Sequence, residues 1–233
     1  MLPQSIPSLM PQERHILVAG DVFAPTATHS FASPDALSGA LSLGAASIAV
    51  RLASRGFTVS LLGFVGDDAL GSAVQQWVRE AGVEVDLLAV SQWPTFYPEL
   101  GFVEGQGATT AEGVPRRQHS EEQVLPLTGL SEYQAHFQNR CEKYMANASL
   151  LVVVDLAMGS VNESRALSFC GRTLGCRTMA ILDSAAHPDD QAQSEQWDVL
   201  VAPDSDVLEQ RLLTLAGEAQ GGGHPSESGP GGP

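Results

Sequence analysis

LGAASIAVRLASRGFTVSLLGFVGDDALGSAVQQWVREAG, residues 43–82, decides the fold. Ala45, Ala46, Ile48, Ala49, Leu52 and Ala53 recur at helical spacing, and Gly56 ends that helix. Val59, Leu61, Leu62, Phe64 and Val65 form an apolar run too short for most helices and suited to a strand buried on both faces. Gly63 and Gly66 loosen its end. Asp67 or Asp68 then caps a second helix through its carboxylate. This helix carries a stripe of Leu70, Val74, Trp77, Val78 and Ala81 and stops at Gly82.

The flanking sequence repeats the same alternation. His15–Ala19 (HILVA) precedes the stretch as a buried-type strand ended by Gly20 and Asp21, and Phe23–Ala40 reads as a polar loop. Val83–Val90 is the next strand, Trp93–Gly107 reads as a hairpin, and Ala108–Leu127 as an exposed loop. Ser131–Met145 suits a helix with Tyr133, His136, Phe137, Cys141 and Tyr144 on one side. Leu150–Val154 is the plainest buried strand, with Asp155 at its carboxyl end. Asn162–Leu174 is a helix, Thr178–Leu182 and Val199–Ala202 are strands, and Val207–Ala219 is a last helix. Strands alternating with helices predict an α/β domain with a mostly parallel sheet and helices on both faces. Residues 1–14 read as an extended leader, 15–219 as one domain, and 220–233 as a Gly/Pro/Ser tail disordered by composition.

A chain of 233 residues with 43% hydrophobic residues can bury one sizeable core. Its formal net charge of -15 argues against nucleic acid and anionic membrane as partners. No apolar run approaches the ~20 residues that span a bilayer. The first residues, MLPQSIPSLMPQER, lack the cationic start and apolar block of a signal peptide. Cys141, Cys170 and Cys176 are odd in number and lack CxxC spacing, so they are expected to be reduced thiols in a cytoplasmic protein, with no metal role. Asp183, His187, Asp189 and Asp190 (DSAAHPDD) have cation-binding chemistry, but a proline-containing acidic loop explains them as well. The histidines are scattered without ligand spacing, and Gly-x-Ser-x-Gly does not occur.

The order Gly44, Ala49, Gly56, Gly63, Gly66, Asp67, Asp68, Gly71 resembles the first signature of the ribokinase-like (PfkB) carbohydrate kinases. Leu43 and Ser47 depart from it, standing where a Gly and an Asn are expected. The strand ending in Gly20-Asp21-Val22 is similar to the opening of the heptose-7-phosphate kinase branch. The resemblance covers about residues 15–210 and implies a three-layer α/β/α sandwich, a partial kinase domain lacking the C-terminal nucleotide-binding third. It also implies that the Trp93–Gly107 hairpin corresponds to the lid over the sugar.

The same resemblance points to Asp21, Gly44, Ser47, Asp155, Gly159 and Asp183 as the remnant of a substrate site, and to several losses around them. Pro25 stands where an Asp holds sugar hydroxyls, and proline offers no side-chain acceptor. Asp155-Leu156-Ala157-Met158-Gly159 has Met158 in place of a lysine, and a thioether cannot neutralise phosphate. Asp183-Ser184-Ala185 lacks a second lysine; Lys143 is the chain's single lysine. Ala202-Pro203-Asp204 leaves Asp204 as a candidate cation ligand, while Val207 replaces the Glu of the magnesium pair. No Gly-x-Gly-Asp, which would supply the anion hole and the base, occurs in the chain. Phosphoryl transfer depends on positioning and charge stabilisation. The expectation is therefore a non-enzymatic interaction or regulatory protein, with a protein partner or self-association and no cofactor. Two alternatives stand beside it. One is a split sugar kinase using ATP and magnesium with another polypeptide, and the other is a small-molecule sensor.

Overall fold

A computed structural model describes residues 15–24, 44–91, 95, 131–156, 160–161, 164–182, 195–202 and 207–221. In chain order the elements are β1 (His15–Gly20), α1 (Ala45–Ser54), β2 (Thr58–Gly66), α2 (Ala69–Glu80), β3 (Glu84–Val90) and α3 (Ser131–Met145). They continue with β4 (Ala148–Asp155), α4 (Ser164–Thr173), β5 (Arg177–Leu182), β6 (Val199–Val201) and α5 (Leu208–Gly221).

The strands form one sheet in the order β3-β2-β1-β4-β5-β6. Every pairing among the described residues is parallel. Pleating sends alternate side chains to opposite faces. Ile16, Val18, Leu61, Val152, Val154 and Ile181 pack on the side of α1, α2 and α5. Leu17, Ala19, Leu62, Val153 and Ala180 pack on the side of α3 and α4. Both faces of the central strands are thus covered, which is why β1 and β4 read as unbroken apolar runs. Arg51 of α1 ties to Glu209 of α5 at 2.7 Å, closing one helical layer across its outer surface.

The expected elements form with shifts of one or two residues at their ends. Three details differ. Phe23 and Ala24 do not belong to a polar loop but are buried beside the end of β1, Phe23 against Gly44. His136 is exposed, because the buried stripe of α3 runs through Phe137, Cys141 and Met145, a spacing that turns residue 136 outward. The last helix continues to Gly221, two residues into the stretch read as tail. The Trp93–Gly107 hairpin (apart from Thr95), the loop 108–127, the leader 1–14 and residues 222–233 lie outside the described residues. Among the described residues no helix is long and apolar enough to cross a membrane.

Candidate substrate site at the carboxyl ends of β1 and β4

Strand order reverses direction between β1 and β4: β2 and β3 lie to one side, β5 and β6 to the other. In open α/β sheets the crevice outside the carboxyl ends at such a switch point is where ligands bind. Gly20 and Asp21 leave β1 there, and Asp155 and Leu156 leave β4.

Gly20 makes the junction possible. Its φ of +133° is one that L side chains rarely adopt, and a Cβ would lie 2.0 Å from the Val154 carbonyl oxygen. Without that Cβ the backbones approach closely enough for the Asp21 N–H to donate to the Val154 carbonyl at 2.9 Å. The Asp21 carbonyl in turn accepts from the Ala45 N–H, the first residue of α1, at 2.7 Å. One residue therefore joins β1, β4 and the start of α1.

The Asp21 side chain is 1% exposed and takes up further backbone donors. Its Oδ2 accepts the Leu156 N–H at 2.7 Å, and its Oδ1 accepts the Ser160 N–H at 3.3 Å. A buried carboxylate requires such partners, since ionised groups are costly to desolvate unpaired. In this structure Asp21 shapes the segment that follows β4. Gly44 is the N-cap of α1 and has no side chain to cap it. A Cβ on Gly44 would lie 2.8 Å from the Phe23 backbone nitrogen and 2.6 Å from its ring, so glycine is required for close packing there. Ser47 lies in the first turn of α1 and is nearly buried. Asp155 is buried at the end of β4, in register with Leu182 of β5. Asp21, Gly44 and Asp155 are thus brought together from three segments, with Ser47 one helical turn away. Gly159, Asp183 and Asp204 lie outside the described residues.

A second polar junction sits at the carboxyl end of β2. Asp68 caps α2 by accepting the Gly71 N–H on Oδ1 at 2.6 Å. The same carboxylate accepts the Thr95 N–H on Oδ2 at 2.7 Å and the Thr95 hydroxyl on Oδ1 at 2.8 Å. The Thr95 hydroxyl oxygen also accepts the Gly66 N–H at 2.9 Å. Burial pushes the Asp68 carboxyl up. The donors from Thr95, Gly71 and Leu70 more than offset that, leaving it below the usual carboxylate range. Of the two aspartates at this turn, Asp68 is the cap. Thr95 carries no local signal that would have singled it out, because its partner is distant in sequence.

The opposite, amino ends of the strands carry ordinary polar pairing. Glu84 accepts from the Ser60 hydroxyl at 2.5 Å and the Tyr144 hydroxyl at 3.3 Å, and Arg140 pairs with Asp86. Burial lowers the pKa of His15 there, with Glu84 opposing it. Cys141, Cys170 and Cys176 are free thiols. Among the described residues no group of three or more His, Cys, Asp or Glu is placed to hold a metal ion.

No family model matches the chain. Over 137 residues, 57% of its length, it is 31% identical to the bifunctional protein HldE of Shewanella denitrificans, and the match spans 25% of that protein. Two solved structures share the fold. Fructokinase from Xylella fastidiosa aligns with a TM-score of 0.50 at 14% identity, covering 87% of this chain and 67% of that one. A carbohydrate kinase from Agrobacterium tumefaciens aligns with a TM-score of 0.51 at 16% identity, covering 89% and 67%. The architecture expected from the glycine and aspartate pattern of residues 44–71 is thus the one found.

Proposed function

We propose that this chain, which carries the ribokinase-like carbohydrate-kinase fold, is catalytically degenerate and acts through protein contacts rather than phosphoryl transfer. One observation carries this reading. The fold's core pattern is intact, while residues that would bear charge in the resembled kinases are Pro25, Met158, Ala185 and Val207. Asp21 has its carboxylate committed to the Leu156 and Ser160 amides. Phosphoryl transfer is almost entirely positioning and electrostatic stabilisation, so removing the cations and the metal-binding carboxylate removes most of what lowers the barrier. The role needs no cofactor. It fits a reducing, cytoplasmic setting, in which the three cysteines remain thiols.

The test is ADP release and product formation with ATP, magnesium and heptose 7-phosphate, alongside thermal melting with each ligand. The expected result is no turnover above background and no ligand-dependent rise in melting temperature. Turnover by the chain alone within the kinase range of roughly 1–100 s⁻¹ would overturn the proposal.

A second reading is favoured by Asp155, a buried carboxylate kept at the switch point, and by the match to a quarter of a larger bifunctional protein. In it the chain is one part of a split sugar kinase, with ATP-site residues supplied by another polypeptide. Adding a chain that carries Gly-Ala-Gly-Asp would then produce magnesium-dependent phosphorylation that neither chain shows alone. Stabilisation by a sugar phosphate without turnover would instead mark a small-molecule sensor.

A further inference from the structure

One polar atom at the amino ends of the strands is left over from the pairing described above. His15 opens β1, and its Nε2 is buried with no hydrogen-bond partner among the described residues. The ring of Tyr144, in the last turn of α3, stands edge-on to the imidazole, with centroids 6.4 Å apart and planes at 75°. Glu84 of β3 is the nearby carboxylate, but its oxygens take the Ser60 hydroxyl at 2.5 Å and the Tyr144 hydroxyl at 3.3 Å.

Four elements surround this imidazole. β3 supplies Glu84, which is exposed, and beyond it Asp86, paired to Arg140 of α3. α3 supplies Tyr144, while its Glu142 and Lys143 are exposed to solvent. β2 and β4 supply uncharged hydroxyls, Ser60 on Glu84 and Ser149 donating to the His15 carbonyl at 3.3 Å. A neutral imidazole can leave Nε2 as a bare acceptor, whereas the imidazolium carries an N–H on each nitrogen. Nε2 has no acceptor in reach, and an exposed carboxylate attracts a neighbouring cation only weakly through water. Burial accordingly lowers the pKa of His15, with Glu84 opposing it.

We propose that protonation of His15 frees Tyr144 and the last turn of α3 from the amino ends of the strands. The two sides of the contact are held unequally. The His15 backbone is paired in register with Thr58 of β2 and Ala148 of β4. The Tyr144 hydroxyl is held by one long, exposed bond to Glu84. A buried N–H without an acceptor is relieved by water, and water reaches Nε2 most easily where Tyr144 swings away. Arg140, one turn earlier, keeps its pairing with Asp86, so the opening stops there. The folded chain favours the neutral imidazole. Its contribution is therefore full above the ordinary value of 6.5 and is lost as pH falls from there through the lower native value. This joint lies at the ends of the strands opposite Asp21 and Asp155, and it does not depend on whether the chain catalyses.

The experiment is amide hydrogen exchange of the full chain between pH 7.5 and pH 5, corrected for intrinsic exchange rates, beside an NMR titration of the His15 imidazole. Protection of residues 141–149 should fall by about fivefold or more over that range, while protection of α2, on the other face of the sheet, holds steady. His15→Gln should abolish the fall. His136→Gln, at an exposed position on the same helix, should leave it unchanged. Should His15→Gln fail to fold, the titration still decides, because a native imidazole that titrates at or above the ordinary value would overturn the proposal. So would protection of 141–149 that holds to pH 5, or a fall of equal size in His15→Gln. A parallel fall in α2 would also overturn it, since that would mean loss of the whole fold rather than release of one helical turn.

Discussion

Asp21 shows how one buried side chain determines the shape of a site without itself being free to bind. Its carboxylate accepts amide protons from Leu156 and Ser160, and its own backbone bonds to Val154 and Ala45. Asp21→Ala should leave buried donors unsatisfied and destabilise the chain by about 2–5 kcal/mol, read as a lower urea midpoint. Asp21→Asn should cost less, because the amide oxygen can still accept one of the two N–H groups. Equal losses for the two variants would mean that the charge, rather than the hydrogen bonds, matters at this position. The Gly20-Asp21 pair at a strand end was visible in the sequence. That its carboxylate points back into the backbone was not, because Leu156 and Ser160 lie far along the chain.

Asp68 works at the junction of β2, α2 and the segment containing Thr95. Helix capping alone is worth about 1 kcal/mol, and the added Thr95 bonds raise the expected loss for Asp68→Ala to about 2 kcal/mol. The pH dependence has a definite sign. A carboxyl whose folded-state pKa is lowered contributes stability above its unfolded value, near 4, and that contribution fades as pH falls through the folded value. The difference in stability between wild type and Asp68→Asn should therefore be full at pH 6 and shrink progressively below about pH 4. A difference that stayed constant down to pH 2 would contradict the ionised cap. The capping role is local and could be read from Gly-Asp-Asp before an apolar stripe; the tie to Thr95 is long-range and could not.

For the molecule as a whole, the thiols report on cooperative opening. Burial raises the pKa of Cys141 well above the ordinary thiol range, with Cys170, Glu142 and Asp86 adding to it. Burial also pushes Cys176 up to about 11, and its thiol donates to the Ala148 and Met145 carbonyls. Thiolate is the reactive form, so both should resist iodoacetamide at pH 8 in the native chain and react promptly in urea. Cys170, partly exposed, should react first. Prompt native labelling of Cys141 would mean that the layer formed by α3 and α4 opens far more easily than its packing implies.

Periodicity and punctuation were enough to determine the alternation of strands and helices, the parallel sheet and the ends of most elements. Those features follow from which residues can be buried within a few turns of one another. The glycine and aspartate spacing of residues 44–71 was enough to indicate the kinase-like architecture. Tertiary structure alone decided that Phe23 packs on Gly44, that Asp68 holds Thr95, and that Asp21 binds the backbone beyond β4. Each of these depends on strand order, which brings together residues that no local pattern relates.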